Sequence, residues 1–460
     1  MKNLLLPRTP KKAVPIAAVP AKEYKAWLKR QDARTVNWMK TLNFKAKPGS
    51  FCVIPGADGK PERVVAALSE RTSIWDLAAL PCSLPKGAYR LEGRYDARQG
   101  GKLALGWLLG AYRYTRYKKN EADPAKLAVP AGADAAKARR VAEAICLARD
   151  LINTPAADMG PEELAAAVIA AGKKHGARTI QIVGDRLLEK NYPGIHAVGR
   201  ASTRSPRLID LSWGNPEHMR VTLVGKGVCF DSGGLDLKPS GAMLNMKKDM
   251  AGAAVALALA GLIMACRLPV RLRLLIPAAE NVISGNAYKP LDVITMRNGK
   301  TVEVANTDAE GRLMLADALT EAAREKPDLL IDFATLTGAA RTALGTGISA
   351  LFSNDDRLAG ELVEAGEEEE DPLWRLPLYE PYDSMLESKV ADMSSAANSP
   401  YAGAITAALF LQRFAGKKQP WAHIDFMAWN VSGKPGRPEG GEAMALRAVY
   451  RLIEKRVRRR

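Results

Sequence analysis

Cysteine and histidine are scarce in this chain, whose 460 residues hold 5 Cys and 4 His. Cys52, Cys82, Cys146, Cys229 and Cys266 are odd in number and form no Cys-x-x-Cys pair. That argues against a disulfide framework and against a thiolate zinc site, and leaves buried free thiols as the expectation. His175, His196, His218 and His423 are scattered, with no His-Glu-x-x-His pair, so any metal must be held mainly by oxygen. Long apolar runs are also missing: the longest candidate, 251–266, is rich in Ala and Gly and shorter than the roughly 18 residues a membrane span needs, so it reads as a buried helix. The N-terminus, with three leucines at 4–6 between Lys2 and Arg8, lacks the apolar core of a secretory signal, and a cytoplasmic location without membrane contact is expected. No Gly-x-x-x-x-Gly-Lys-Ser/Thr pattern occurs, so nucleotide binding is weakly supported.

What the chain has in excess is positive charge, a net +17. Residues 1–125 carry most of it, with 24 Lys and Arg against 10 Asp and Glu. That quarter contains no helix-turn-helix, zinc finger or aromatic RNA-binding motif, so DNA binding stays an alternative that no motif supports, and a solvated basic domain is expected. The closing cluster Lys455, Arg456, Arg458, Arg459 and Arg460 reads as a frayed, solvating end. The acidic run 367–371 before Pro372 reads as a solvated helix end and loop.

Along the chain, residues 1–130 mix strand-like runs such as Phe51-Cys52-Val53-Ile54 and Arg63-Val64-Val65-Ala66 with helical patches. A stretch rich in Ala, Pro and Gly at 124–135 then opens a helical pattern at 136–151, so 131–155 is expected to be a connecting helix. From 156 to 460, β-branched runs at 179–183, 208–211, 221–224, 270–276 and 329–333 alternate with Ala-rich helical runs. The fold class that follows is α/β: a small N-terminal α/β domain, then a larger domain with a mostly parallel central sheet flanked by helices.

The densest chemistry lies in Asn306-Thr307-Asp308-Ala309-Glu310-Gly311-Arg312-Leu313. On an extended segment, residues two apart share a side, so Asp308, Glu310 and Arg312 would converge on one small volume. Two anions and a cation on one face suggest a metal or phosphate site, with a charged loop as the plainer alternative. A second group follows the strand at 221–224, in Gly225-Lys226-Gly227-Val228-Cys229-Phe230-Asp231-Ser232-Gly233-Gly234, with Lys238 downstream. Function gathers at the carboxyl ends of strands in open α/β sheets, and glycines let backbone approach a ligand there. A third, Met246-Lys247-Lys248-Asp249, leads into the small-residue helix. Singly, Asp231 suits a turn, Asp249 a helix start, and Lys226 and Lys238 a surface.

Together these blocks, in this order and at these separations, resemble the signature of the cytosolic leucine aminopeptidase family, which includes peptidase B-like di-metal aminopeptidases. Ser284-Gly285-Asn286 and Ala334-Thr335-Leu336-Thr337-Gly338 fall where that family has similar sequence. The resemblance covers roughly residues 140–460 and makes the larger domain the catalytic one. It implies a metal-dependent exopeptidase that removes the N-terminal residue, leucine or another apolar one, from peptides. Two divalent ions, Mn2+ or Zn2+, would be held by Asp231 and Glu310 as bridges, by Asp308, and by Lys226 and Asp249. Four carboxylates against two dications are near neutrality, whereas without metal they would repel severely. Lys226 could ligate only as a neutral amine. Lys238 would stabilise the oxyanion, and Arg312 would hold a bicarbonate that serves as general base. Met246, Asn306, Ala309, Thr335 and Gly338 would line the side-chain pocket, with the carbonyl of Leu336 near the substrate amine. A homo-hexamer is implied as well. The chain departs from the family at Ala251, where a second glycine is usual, and at Gly440-Gly441-Glu442-Ala443-Met444, which replaces a Thr-Gly step expected near the pocket.

Overall fold

A computed structural model describes residues 3–119 and 123–459. The chain divides into two compact units, Met1–Cys146 with Ser432–Glu439, and Leu147–Val431 with Gly440–Arg460. The segment Ser432–Glu439 thus belongs with the first unit, an arrangement that a single cut at 131–155 does not contain. All five cysteines are free thiols.

The first unit is built on strands β1 (Leu5–Leu6), β2 (Val14–Pro20), β3 (Phe51–Pro55), β4 (Pro61–Leu68), β5 (Ala88–Leu91) and β6 (Lys126–Ala128), in the order β1-β6-β5-β2-β4-β3. Only the β3–β4 pair is antiparallel. The helix Ala97–Gly110 starts at Asp96, whose carboxylate accepts from Gln99 N at 2.7 Å while the Gln99 side chain accepts from Asp96 N at 3.2 Å.

The second unit carries nine strands in one sheet: β7 (Arg178–Val183), β8 (Arg207–Trp213), β9 (Met219–Gly225), β10 (Gly227–Asp231), β11 (Val270–Asn281), β14 (Leu329–Ala334), β15 (Ser349–Ser353), β16 (Leu373–Arg375) and β18 (Trp421–Asp425). The short strands β12 (Val293–Thr295), β13 (Thr301–Glu303) and β17 (Met393–Ser394) pair separately. The sheet order is β16-β15-β18-β14-β9-β11-β8-β7, with β10 also on β11. Its centre, β18-β14-β9-β11, is parallel, whereas β8 meets β7 and β11, and β15 meets β18, in antiparallel fashion. The expected parallel sheet is present and has antiparallel margins. The central strands are buried along almost their whole length, as a sheet covered on both faces requires.

Helix Ala251–Ala265 packs on β9 and β14 with helices Pro161–His175 and Leu446–Arg459 beside it. Nearly every residue of it is buried, so although 246–265 is long and apolar enough to cross a membrane, most of that stretch lies inside the protein. Helices Glu310–Arg324, Gly403–Ala415 and Pro193–Gly199 form another layer, in which Leu313, Met314 and Phe410 share a core with Val224, Leu275 and Leu330 of the sheet.

Two surface expectations are corrected. The basic C-terminal cluster is not frayed: Leu446–Arg459 is helical to its end, and Lys455 and Arg456 pair with Glu368 and Glu361 of helix Asp356–Glu368 at 2.6 and 2.8 Å. Arg460 lies outside the described residues. Nor is the acidic run wholly solvated, because Asp371 is buried and accepts from Ala445 N and Arg447 N at 2.9 Å each, which caps that last helix. Acidic and basic runs far apart in the chain compensate one another across two helices.

Asp317 is fully buried on helix Glu310–Arg324, where it accepts from Gly194 N (2.7 Å), Ile195 N (3.1 Å) and Arg297 N (3.2 Å). Burial pushes its carboxyl up to about 7, against those three donors. An acid whose pKa is higher folded than unfolded binds its proton more tightly in the folded state, so its contribution falls as pH rises from about 4 to about 7 and is flat above. Urea titrations of wild type and Asp317→Asn should therefore diverge across that window, the wild type losing up to about 4 kcal/mol relative to the variant at about 1.4 kcal/mol per unit. Parallel stability curves would show that Asp317 keeps an ordinary pKa.

Candidate active site

Strands β9 and β10 are one bent ribbon along β11, with Val224 opposite Leu275 and Gly227 opposite Ala278. Lys226 sits at the break. Its N–H donates to Phe333 O at 3.0 Å, and its carbonyl accepts from Ala253 N at 2.8 Å, so the residue is tied to β14 and to the start of helix Ala251–Ala265. This close approach is why two positions are glycine: a Cβ on Gly252 would lie 2.1 Å from Phe333 O, and one on Gly311 2.4 Å from Lys226 Cε. Asp231 ends β10 and Asn281 ends β11, while Thr335 follows β14 and Phe426 follows β18. The carboxyl edge of the parallel centre thus delivers the site.

The segment 306–313 is not extended, contrary to the alternation argument. Thr307–Ala309 is a single 3-10 turn, Asn306 caps it by accepting from Asp308 N at 2.7 Å, and Glu310 opens helix Glu310–Arg324. Convergence comes from the turn and not from a period of two: Asp308 is left at the mouth, Glu310 drops beneath it into full burial, and Arg312 is buried with Nη1 donating to Ser395 O at 2.8 Å. Asn281 Nδ2 clamps this turn to the other loop, donating to Asp231 Oδ1 at 2.9 Å and to Thr307 O at 3.0 Å.

One oxygen each from Asp231, Asp308 and Glu310 lies within 4.8 Å of the others. Lys226 Nζ stands 2.7 Å from Asp249 Oδ2 and 2.8 Å from Glu310 Oε1, and donates to Thr335 O at 3.2 Å. Lys238 Nζ stands 2.8 Å from Asp231 Oδ2 and also pairs with Asp308. Even so, Glu310 Oε2 is buried with no partner among the described residues, and Glu310 Oε1 and Asp249 Oδ2 share the one ammonium of Lys226. Burial, then Asp231, hold the Glu310 carboxyl well above the usual range, and the same two causes push Asp308 up to about 6. For Lys226 burial opposes the charge, but Asp249, Glu310 and Asp231 outweigh it and its pKa is raised. Without other cations, Lys226 and Lys238 balance the acids, and Glu310 and Asp308 are poised to take protons. Such unsatisfied oxygens fit divalent cations, which would supply the missing positive charge.

Above the cluster opens a cavity of about 490 Å³. Lys226, Asp231, Lys238, Met246, Asp249, Asn306, Asp308, Ala309, Arg312, Thr335, Leu336 and Gly338 all line it, and of the expected site residues only Glu310 does not, lying below. None of 440–444 lines it, a second correction: Glu442 is instead paired with buried Arg149, Nη2 to Oε2 at 2.9 Å. Sequence reasoning missed Asn281 and Lys248. It also missed Asp425, which accepts from Leu336 N at 2.9 Å and from Thr337 Oγ1 at 2.6 Å and so fixes the loop 335–338. The position of Asp425 at the end of an apolar strand was the available signal, and β18 was not recognised.

A model of the cytosol aminopeptidase family catalytic domain matches residues 146–450, and one of the M17 aminopeptidase N-terminal domain matches 14–130. The chain belongs to the cytosol aminopeptidase family. A probable cytosol aminopeptidase of Chlorobium limicola is 38% identical, covering 90% of each chain. A peptidase B of Serratia proteamaculans is 46% identical over 67% of this chain and 74% of its own. Among solved structures, a cytosol aminopeptidase from Coxiella burnetii superposes with TM-score 0.94 at 50% identity, covering 99% of each chain. The bottromycin maturation enzyme BotP, in complex with Mn, gives 0.86 at 35% identity over 97% of this chain and 100% of its own. As a member of this family the chain is an aminopeptidase, an N-terminal exopeptidase.

Gly252 tests the backbone contact that places Lys226. Gly252→Ala should cost about 1–3 kcal/mol or more through overpacking against Phe333. Gly261→Ala, in the same helix with nothing within 4 Å of the added carbon, should be neutral or gain up to about 1 kcal/mol. Equal stabilities in guanidinium titrations would remove the steric argument.

Proposed function

We propose that the chain removes leucine or another apolar residue from the N-terminus of peptides at a centre of two divalent cations, manganese or zinc. The observation that carries this reading is the convergence of Asp231, Asp308 and Glu310, with Asp249 beside them, where Glu310 Oε2 is buried without a partner and one ammonium, Lys226 Nζ, serves both Glu310 and Asp249. In this reading Asp231 and Glu310 would serve both ions, Asp308 would complete one, and Lys226 with Asp249 would complete the other. Two dications against four carboxylates would turn the local field round and let Lys226 give up its proton. Bound there, such ions supply Lewis acidity to hydrolysis.

The remaining work falls to the chain. Lys238, one-eighth exposed at the cavity wall, keeps its charge because Asp231 and Asp308 outweigh its burial, and it is placed to stabilise a developing oxyanion. Arg312 lines the cavity with its Nε buried and unpartnered, which suits a small anion; bicarbonate held there would act as general base, since none of the four histidines lines the cavity. The carbonyl of Leu336 is assigned to the substrate amine, and Asn306 and Thr335 to the polar rim. Met246, Ala309 and Gly338 offer an apolar wall, which distinguishes one methylene by only about 1–3 kcal/mol and so grades substrates more than it excludes them. A cytoplasmic location accords with the relatives' names, and no motif in the basic first unit supports DNA binding.

The purified protein loaded with manganese or zinc should release the N-terminal residue from free peptides and leave N-acetylated ones intact. Asp249→Ala and Glu310→Ala should each lose activity by several orders of magnitude together with stoichiometric metal. Equal cleavage of acetylated peptides overturns the exopeptidase reading, and a variant that still holds two metals per chain overturns the ligand assignment. We further expect a homo-hexamer by light scattering, and a monomeric mass would refute that.

A further inference from the structure

Asn281 ends β11 between the two acidic loops and is fully buried. Its carbonyl accepts from Ser232 N at 2.9 Å and from Ser232 Oγ at 2.8 Å, which ties the loop after β10 to β11. Its Nδ2 donates to Asp231 Oδ1 at 2.9 Å and to Thr307 O at 3.0 Å. Both of those groups are acceptors, so the side-chain amide is turned with its two N–H groups toward them. One neutral residue thus joins the carboxylate of Asp231 to the turn Thr307–Ala309, which carries Asp308 and leads into Glu310.

A residue kept only for stability would satisfy both ends of its amide, and Asn281 does not. Its Oδ1 is buried with no hydrogen bond among the described residues, which burdens the fold. Nor do its acceptors depend on it: Asp231 Oδ1 also accepts from Gly233 N at 2.9 Å, and Thr307 O from Tyr288 Oη at 2.6 Å. The two loops meet a second time where Thr307 Oγ1 donates to Gly233 O at 2.7 Å and Thr307 N to Asp236 Oδ2 at 2.7 Å. What Asn281 adds is a bond that anchors the Asp231 carboxylate outside its own loop, with Oδ2 left to face Lys238 Nζ at 2.8 Å.

We infer that Asn281 is a positioning residue for the two-ion centre, its amide setting the carboxylate of Asp231 against the turn that carries Asp308. The inference rests on the two-ion reading. Oxygens of Asp231, Asp308 and Glu310 lie within 4.8 Å of one another, and this clamp maintains that convergence, so that ions meet formed ligands instead of two loops to be drawn together.

The test is binding of Mn2+ to the full-length chain after chelation, read by competition with a fluorescent chelator, beside thermal melting of the metal-free protein. Asn281→Leu keeps a similar volume and Asn281→Ala removes it, and neither can donate. Tyr288→Phe is the comparison, because it removes the other donor to Thr307 O and leaves Asp231 untouched. Each Asn281 variant should bind Mn2+ about 10- to 100-fold more weakly than wild type. Their metal-free melting temperatures should fall by no more than about 4 °C, and Tyr288→Phe should keep most of the wild-type affinity. Asn281 variants that bind two Mn2+ per chain as tightly as wild type overturn the inference and leave the two-ion reading standing. Failure of both Asn281 variants to fold, or an equal loss of affinity in Tyr288→Phe, shows a general structural role and overturns it as well. A wild-type chain that binds no Mn2+ overturns the two-ion reading, and this inference with it.

Discussion

The structure depends on keeping four carboxylates together, three of them, Asp231, Asp249 and Glu310, away from water. Like charges a few ångströms apart in a poorly solvated site repel strongly, and only opposite charge placed among them makes the arrangement tolerable. Lys226 supplies it from below, between Asp249 and Glu310, and Lys238 from the rim, between Asp231 and Asp308. Both depend on backbone: Lys226 on the break between β9 and β10, Lys238 on its N–H donating to Ser232 O at 2.9 Å. Glu310 Oε2, buried without a partner, and the single ammonium shared by Asp249 and Glu310 record how far two lysines fall short of what the acids require. Two divalent ions would make good that shortfall, which is why the metal proposal follows from the charges rather than from any single residue.

That requirement explains why helices start where they do. Helix Ala251–Ala265 docks its first turn on the carbonyl of Lys226, and helix Glu310–Arg324 brings Gly311 against the same lysine. Both contacts need the absence of a side chain, so the glycines and the lysine form one steric unit. Ala251, where the family has a glycine, is fully buried without disturbing that contact, because Gly252 makes the close approach to Phe333.

Much of this was readable from residues alone, for identifiable reasons. Strands β7, β8, β9, β11 and β14 betray themselves by apolar β-branched runs, and the charged blocks by rare residue types at fixed spacing. The convergence of Asp308, Glu310 and Arg312 was anticipated for a reason that does not hold, since a turn and a helix start bring them together where an extended strand was expected. Other features were hidden because their meaning is non-local. Nothing in the run around Asp371 reveals that it caps a helix more than 70 residues on, nor that the basic tail finds Glu361 and Glu368. Asn281 carries no charge to flag it, and Lys248 reads as any lysine until its burial is known.

Lys248 also shows what a lysine can mean in different surroundings. Between residues 226 and 248, Lys226, Lys238 and Lys248 all reach one cavity, yet among the described residues the first two are held by acids and the third by none. The difference lies in the loop 335–338, where Asp425 is saturated by Leu336 and Thr337, and in Asp249, whose oxygens are divided between Thr335 and Lys226. Every acid that could have quenched Lys248 is spent on building the catalytic edge. A charge left over in this way is a by-product of the same constraint that assembles the acidic cluster, because the acids beside it are committed before it can pair.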